Sequence, residues 1–375
     1  TQVVGRYEWL KNTMQATIAS AQVGGQKAED LGVNITKIFD PTPTEIEFIG
    51  TASGPIPEAL GIVSKVLAEP IPLTVQGEHI TALRLSFPLK AGLSLQDTRF
   101  KSSTDLVNLR LRVPQLNVPF ESTTNSYFEI TENSLEFNGT GLLDEQPVAI
   151  SWLEDLQRPL EKSQFQFAGQ LDASLLNRYT AAATLNGLLA AELKVKQRER
   201  DHYDYALNAD LTEARVETPG LAWQKPAGRS LQLAMTGFYQ PQRRQLAAQQ
   251  FDLTGADNVR VTGQWRVPWQ QLAQAEIQLP QVRLGRQNFS LQYGPKALRL
   301  HGQRLEIATL KPQPAEATQA QNQLLFADGA VEVKLQELVL RQATLTQVQA
   351  QLERRRGWWW QGQLKAGLPE GKQLS

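Results

Sequence analysis

Leu83-Arg84-Leu85-Ser86-Phe87 sets a large apolar side chain at every second position, with Arg84 and Ser86 between them. Successive side chains of an extended chain point to opposite faces, so this run predicts a strand that is greasy on one face and polar on the other. The same period recurs in Leu109-Arg110-Leu111-Arg112-Val113, Phe165-Gln166-Phe167, Leu193-Lys194-Val195 and Tyr203-Asp204-Tyr205-Ala206-Leu207. It returns over Leu231–Leu233, Ala297–Leu300 and Val331–Leu335. Breaks such as Glu136-Phe137-Asn138-Gly139 and Thr254-Gly255-Ala256-Asp257-Asn258 read as turns between antiparallel neighbours, not as βαβ crossovers. The expected class is all-β.

Helical signals are few. Over Ile56–Leu67, Pro57 suits a first turn, and Leu60, Val63, Val66 and Leu67 form a stripe. A shorter segment, Ala173–Tyr179, follows Asp172 as an N-cap. Both are expected to plug or cap the sheet. The aperiodic, Gln- and Ala-rich stretch Lys311–Gln323 reads as a loop or flexible linker. It separates a β segment over 1–310 from a continuation over 324–375.

About twenty one-sided strands emerge by this spacing logic, with little helix to cover them. Two sheets could face each other, or one long antiparallel sheet could curl so that its apolar face lines a groove. At about 4.8 Å per strand, such a sheet would extend on the order of 90 Å.

Composition narrows the function classes. Lys plus Arg and Asp plus Glu are 38 each, which argues against nucleic acid as the main partner. The basic clusters Lys194–Arg200 and Arg354–Arg356 have acidic residues within or beside them and read as solvated strand ends. There is no cysteine, so disulfides, thiol catalysis and cysteine metal sites are excluded. No stretch approaches the ~18 apolar residues of a membrane span. The chain begins at Thr1 without Met or signal peptide, as expected of a processed protein or an excised segment that has lost its targeting signal.

Chemistry-bearing constellations are sparse. His79, His202 and His301 are far apart and lack metal-ligand spacing, so each is expected to be satisfied or solvated. In Asp201-His202-Tyr203-Asp204, strand geometry puts His202 and Asp204 together on a face opposite Tyr203 and Tyr205. Asp144-Glu145 and Glu154-Asp155 are adjacent, so within a strand neither pair can act as an acid and base together. No nucleophile elbow, phosphate loop or dinucleotide fingerprint occurs. The expectation is therefore no enzyme, no catalytic residue, no metal and no cofactor. Sequons at Asn34, Asn138 and Asn288 would matter only in a eukaryotic secretory protein. Trp358-Trp359-Trp360 after Arg354-Arg355-Arg356-Gly357 reads as a strand start, with an interfacial membrane anchor as the functional alternative.

The run Glu47–Leu60, with Phe48-Ile49-Gly50-Thr51-Ala52-Ser53-Gly54-Pro55-Ile56-Pro57, leads to Pro70-Ile71-Pro72-Leu73 and then Leu83–Lys90. Together with Ala209-Asp210-Leu211-Thr212-Glu213-Ala214, Pro219–Gly228, Leu345–Leu352 and Trp360–Leu364, it resembles the AsmA-like superfamily of Gram-negative envelope proteins, in particular its YhdP-type branch. The resemblance spans nearly the whole chain. It implies a periplasmic β-groove with an apolar interior, tethered to the inner membrane by a helix absent from this chain. It also implies that phospholipids pass along the groove between inner and outer membranes, with those membranes or their proteins as partners. The expected lining is Leu83, Leu85, Phe87, Leu109, Leu111, Val113, Phe165, Phe167, Leu193, Val195, Tyr203, Tyr205 and Leu207. The alternatives are an envelope scaffold whose apolar faces pack on one another and, more remotely, a carbohydrate-active β enzyme.

Overall fold

The computed structural model describes residues 4–67, 74–94, 97–113, 118–158, 163–178, 183–218, 220–268, 274–308, 329–340, 343–355, 358–368 and 373–374. Its strands form one hydrogen-bonded sheet, and helix is almost absent, so the all-β class holds. The chain divides into two compact units, 1–169 and 170–375. The Lys311–Gln323 stretch lies outside the described residues.

In the first unit β1 (Val4–Leu10), β2 (Thr13–Val23), β3 (Gln26–Thr36) and β4 (Glu45–Pro55) pair in sequence order. Helix α1 (Ile56–Leu67) follows, then β5 (Val75–Pro88) and the long β6 (Arg99–Val113). The two halves of β6 pair with β7 (Val118–Ser122) and β8 (Ser126–Thr131), both of which lie against β9 (Ser134–Leu143). β10 (Gln146–Asp155) and β11 (Ser163–Asp172) complete the run, with the unit boundary inside β11. Glu136–Gly139, expected as a turn, lies within β9. Phe128 opposite Phe137 and Trp152 opposite Phe137 supply cross-strand contacts that override the turn propensity of Asn138-Gly139. The turn sits instead at Asp144-Glu145, whose φ values of 51° and 66° make the two-residue loop that matches strand twist.

Pro57 lies in the first turn of α1, as expected. The Glu58 carboxylate accepts the Gly25 N–H at 2.8 Å, tying the helix to the β2–β3 turn. The side chains of Val63, Val66 and Leu67 lie outside the described residues. Asp172 caps the second predicted segment, a 3-10 turn over Ala173–Arg178, by accepting the Ser174 N–H at 2.8 Å.

The second unit contains β12 (Thr184–Glu199), β13 (His202–Asp210), β14 (Ala214–Thr218), β15 (Trp223–Lys225), β16 (Leu231–Gln240), β17 (Gln245–Gly255) and β18 (Val259–Pro268). It continues through β19 (Glu276–Leu284), β20 (Gln287–Gly294), β21 (Ala297–Glu306), β22 (Gly329–Leu340), β23 (Ala343–Arg355), β24 (Trp358–Gly367) and β25 (Gln373–Leu374). The expected turn at Thr254–Asn258 forms between β17 and β18. One pairing departs from the antiparallel expectation, because β21 and β22 run parallel. Parallel neighbours cannot be joined by a two-residue hairpin.

A crease crosses the second unit. Register shifts leave one extra residue each at Gln249 in β17, Pro280 in β19 and Gln303 in β21. Bulges bend their strand and sharpen its twist, and here they fall on alternate strands, so the sheet folds along a line. Glycines sit where backbones then crowd. A Cβ at Gly237 would lie 1.9 Å from the Ala247 carbonyl oxygen, and one at Gly263 would lie 2.1 Å from that of Gln278.

One end of this unit is capped. The first residues of β12 pair with β14, β15 pairs with β14, and breaks at Leu211–Glu213 and Pro226–Ser230 turn this three-stranded tip away from β13 and β16. The Lys225 ammonium, buried at the elbow, donates to the carbonyls of Thr212, Pro226 and Arg229 at 2.9–3.0 Å. The tip reaches β21, where Leu221 bridges Ile307 and the Ala222 N–H meets the Glu306 carbonyl at 3.3 Å. Ala214, Leu231, Val259, Leu284 and Leu305 form the dense core beneath it.

Candidate functional site

Cross-strand register decides which side chains share a face, because directly opposed residues project to the same side. In the first unit Phe87 opposes Ile46, Leu85 stands between Phe48 and Phe100, and Leu83 lies between Gly50 and Ser102. Leu111 opposes Val75 and Phe120, while Phe165 and Phe167 oppose Trp152 and Ile150. The rings of Phe48 and Phe87 stack at 6.0 Å. The Val113 side chain lies outside the described residues. In the second unit Leu193, Leu207, Met235 and Phe251 form one transverse row. Val195, Tyr205 and Gly237 form the next, and Tyr203 and Tyr239 the one beyond.

The opposite face is mainly polar in both units, with Ile49 and Ile80 as exposed apolar exceptions in the first. Arg84 reaches Glu47 at 2.6 Å, and Asn34 donates to the same carboxylate. Lys101 and the Tyr127 hydroxyl converge on Glu129, and these partners hold its carboxyl down to about 2. Lys194 pairs with Glu192, and Arg198 with Asp204. Each unit thus has one apolar and one mainly ionic face, as the alternation predicts.

Burial along the apolar face is graded. Leu109 and Phe167 are buried, at 3% and 9% exposure, whereas Leu83 is 40% exposed. Leu85, Phe87, Leu111, Phe165, Leu193, Val195, Tyr203, Tyr205 and Leu207 are all half-buried. In the first unit the lining is buried toward Leu109, Phe120 and Leu143 and opens toward Leu83; in the second it is buried beneath the cap and half-buried toward the other strand ends. Ile46, Phe48, Phe137, Trp152, Met235, Phe251 and Trp265 share the lining and were not among the residues expected there. Ile46-Glu47-Phe48 carried the alternation signal, whereas Phe137 was hidden by the apparent turn.

The largest polar cluster on the lining is satisfied internally, whereas the buried Ser122 and Ser126 hydroxyls have no partner. Gln26 donates to the Pro55 carbonyl, so its oxygen faces His79 Nε2 at 2.6 Å as acceptor. His79 Nδ1 then accepts from Thr81, which is 3.0 Å from the Thr104 hydroxyl. Burial pushes the His79 pKa down, keeping the ring neutral. Tyr205 spans Gly237 to donate to the Ala247 carbonyl at 2.9 Å, and burial pushes its phenol up to about 12.

The remaining polar clusters lie on the ionic face. His202 sits 3.1 Å from Asp204, with Arg198 alongside, on the side expected for that pair. His301 is 3.5 Å from Glu332. The Trp358–Trp360 side chains lie outside the described residues. Among the described residues no three His, Asp or Glu gather as a metal site. The arrangement offers area burial for flexible apolar chains, with hydroxyls and one neutral imidazole as its polar interruptions. No family model, no curated protein and no solved structure matches this chain.

Proposed function

We propose that this chain is a periplasmic segment of an inner-membrane-anchored, bridge-like lipid carrier that holds phospholipid acyl chains on its apolar sheet face. The observation that carries this reading is the apolar lining left half-open in each unit, broken in the first by the His79 cluster. An ordinary core would bury such residues, and half-exposed rows of Leu, Phe and Tyr cost solvation unless something apolar lies on them. A bound chain burying about eight methylenes would gain on the order of 6 kcal/mol, with no directional contact required. The resemblance to the AsmA-like superfamily supplies the envelope setting, the membrane partners and the phospholipid cargo. The dense core under the cap of the second unit is what a packed scaffold would also show, and it keeps that reading as the competitor.

Photo-crosslinking separates the two. A photoreactive residue at Leu85 or Leu193 should capture lipid in cells, whereas one at the neighbouring Arg84 or Lys194 should not. Equal capture from both faces, or none from either, would contradict the proposal.

A further inference from the structure

The open strand ends of the first unit carry an apolar crest that the lining of the trough does not need. Phe39 is 73% exposed, Leu89 61%, Leu10 56%, Trp9 54% and Leu93 45%. They project from the ends of three successive hairpins: the β1–β2 turn, the β3–β4 loop and the β5–β6 loop. Hydrogen bonds tie described residues of these loops together. Asn12 accepts the Ile38 N–H through its carbonyl and the Phe39 N–H through its side chain, at 3.3 and 2.6 Å. The Leu89 N–H meets the Thr44 carbonyl at 2.6 Å, and Ser94 is bound to Asp97. Trp9 and Phe39 lie with ring centroids 6.3 Å apart.

We infer that this crest seats the rim of the first unit in the interfacial layer of a lipid bilayer, so that acyl chains enter the trough sideways over the rim. Three observations choose a bilayer as the occupant. Phe39, Leu89 and Leu93 stand on loops and Trp9 and Leu10 at the end of β1, so the apolar groups are presented at strand ends rather than along the free edge of β1, where an extended peptide would pair. Its composition, Trp and Phe beside Leu and Lys, is that of side chains that settle at headgroup level. It is also continuous with the trough, since Trp9 belongs to the outermost apolar row, followed by Met14, Ile35, Ile46 and Phe87. An acyl chain crossing there would meet no polar barrier. This last point rests on the lipid-carrier reading, whereas the first two stand without it.

The charges behind the crest are balanced, because Lys37 pairs with Glu45 at 2.9 Å and Lys90 with Asp97 at 2.6 Å. Seating should therefore depend on apolar insertion and respond weakly to salt.

The test is co-flotation of the full chain with vesicles of phosphatidylethanolamine and phosphatidylglycerol at low and high salt. Wild-type protein should float at both, and Phe39→Asp with Leu89→Asp should reduce binding at least tenfold. Phe39→Ser with Leu89→Ser, a milder pair, should reduce it in the same direction if the charged pair fails to fold. Lys194→Gln, on the ionic face away from crest and lining, should leave flotation unchanged. Absence of wild-type flotation, undiminished binding by the crest variants, or loss of a self-associated form in place of vesicle binding would each overturn the inference. Crest-dependent flotation by a chain that carries no lipid would uphold the crest and reject the carrier reading, so the two failures are distinguishable.

Discussion

At the scale of single residues, Tyr205 shows how the lining combines apolar area with a fixed polar end. Its ring crosses the gap left by Gly237, and its hydroxyl ends on the Ala247 carbonyl. Tyr205→Phe should cost about 1 kcal/mol in urea unfolding, the net worth of one such hydrogen bond. The phenol is raised above its ordinary value of 10.0 by burial, so its contribution is complete below pH 10 and is lost as pH rises through about 12. The Phe variant should lack that alkaline component, and an unchanged alkaline profile would contradict the assignment. Residue faces were legible in the sequence because strand alternation is local. Depth was not: Phe167 and Leu83 carry the same signal, yet one is buried and the other open. Their difference comes from what lies beyond the strand ends, which no local period encodes.

At the scale of elements, the cap over the second unit depends on one cation. Lys225 holds three carbonyls at the elbow, and burial lowers its pKa against the opposing pull of Glu213 and Asp210. Lys225→Met keeps the length of the side chain and leaves those carbonyls without their donor, so it should cost about 2–4 kcal/mol. Hydrogen exchange should rise first in β14 and β15, while β16 and β17 keep their protection. Uniform exchange across the unit would show that the cap is not a separate element. Strands and the tight turn at Asp257-Asn258 could be read directly from sequence. The crease, the cap and the parallel β21–β22 pair could not, because each depends on register between strands. The bulge at Pro280 has meaning only beside Gly263 and Ser290, and nothing within β21 announces a parallel neighbour.

At the scale of the whole molecule, the chain is a run of one-sided strands whose polar face is stitched by ion pairs and whose apolar face is left partly open. A charge at Phe167 would strike a buried position and destabilise the fold under either reading, whereas Leu83 is open enough for Leu83→Asp to spare the fold and act on the cargo. The central claim is that lipid occupies this face, and organic extraction of the chain purified from a Gram-negative host, followed by mass spectrometry, measures it directly. Phospholipid should co-purify, and its yield should fall several-fold in a folded Leu83→Asp variant. A folded wild-type chain that yields no phospholipid would contradict it.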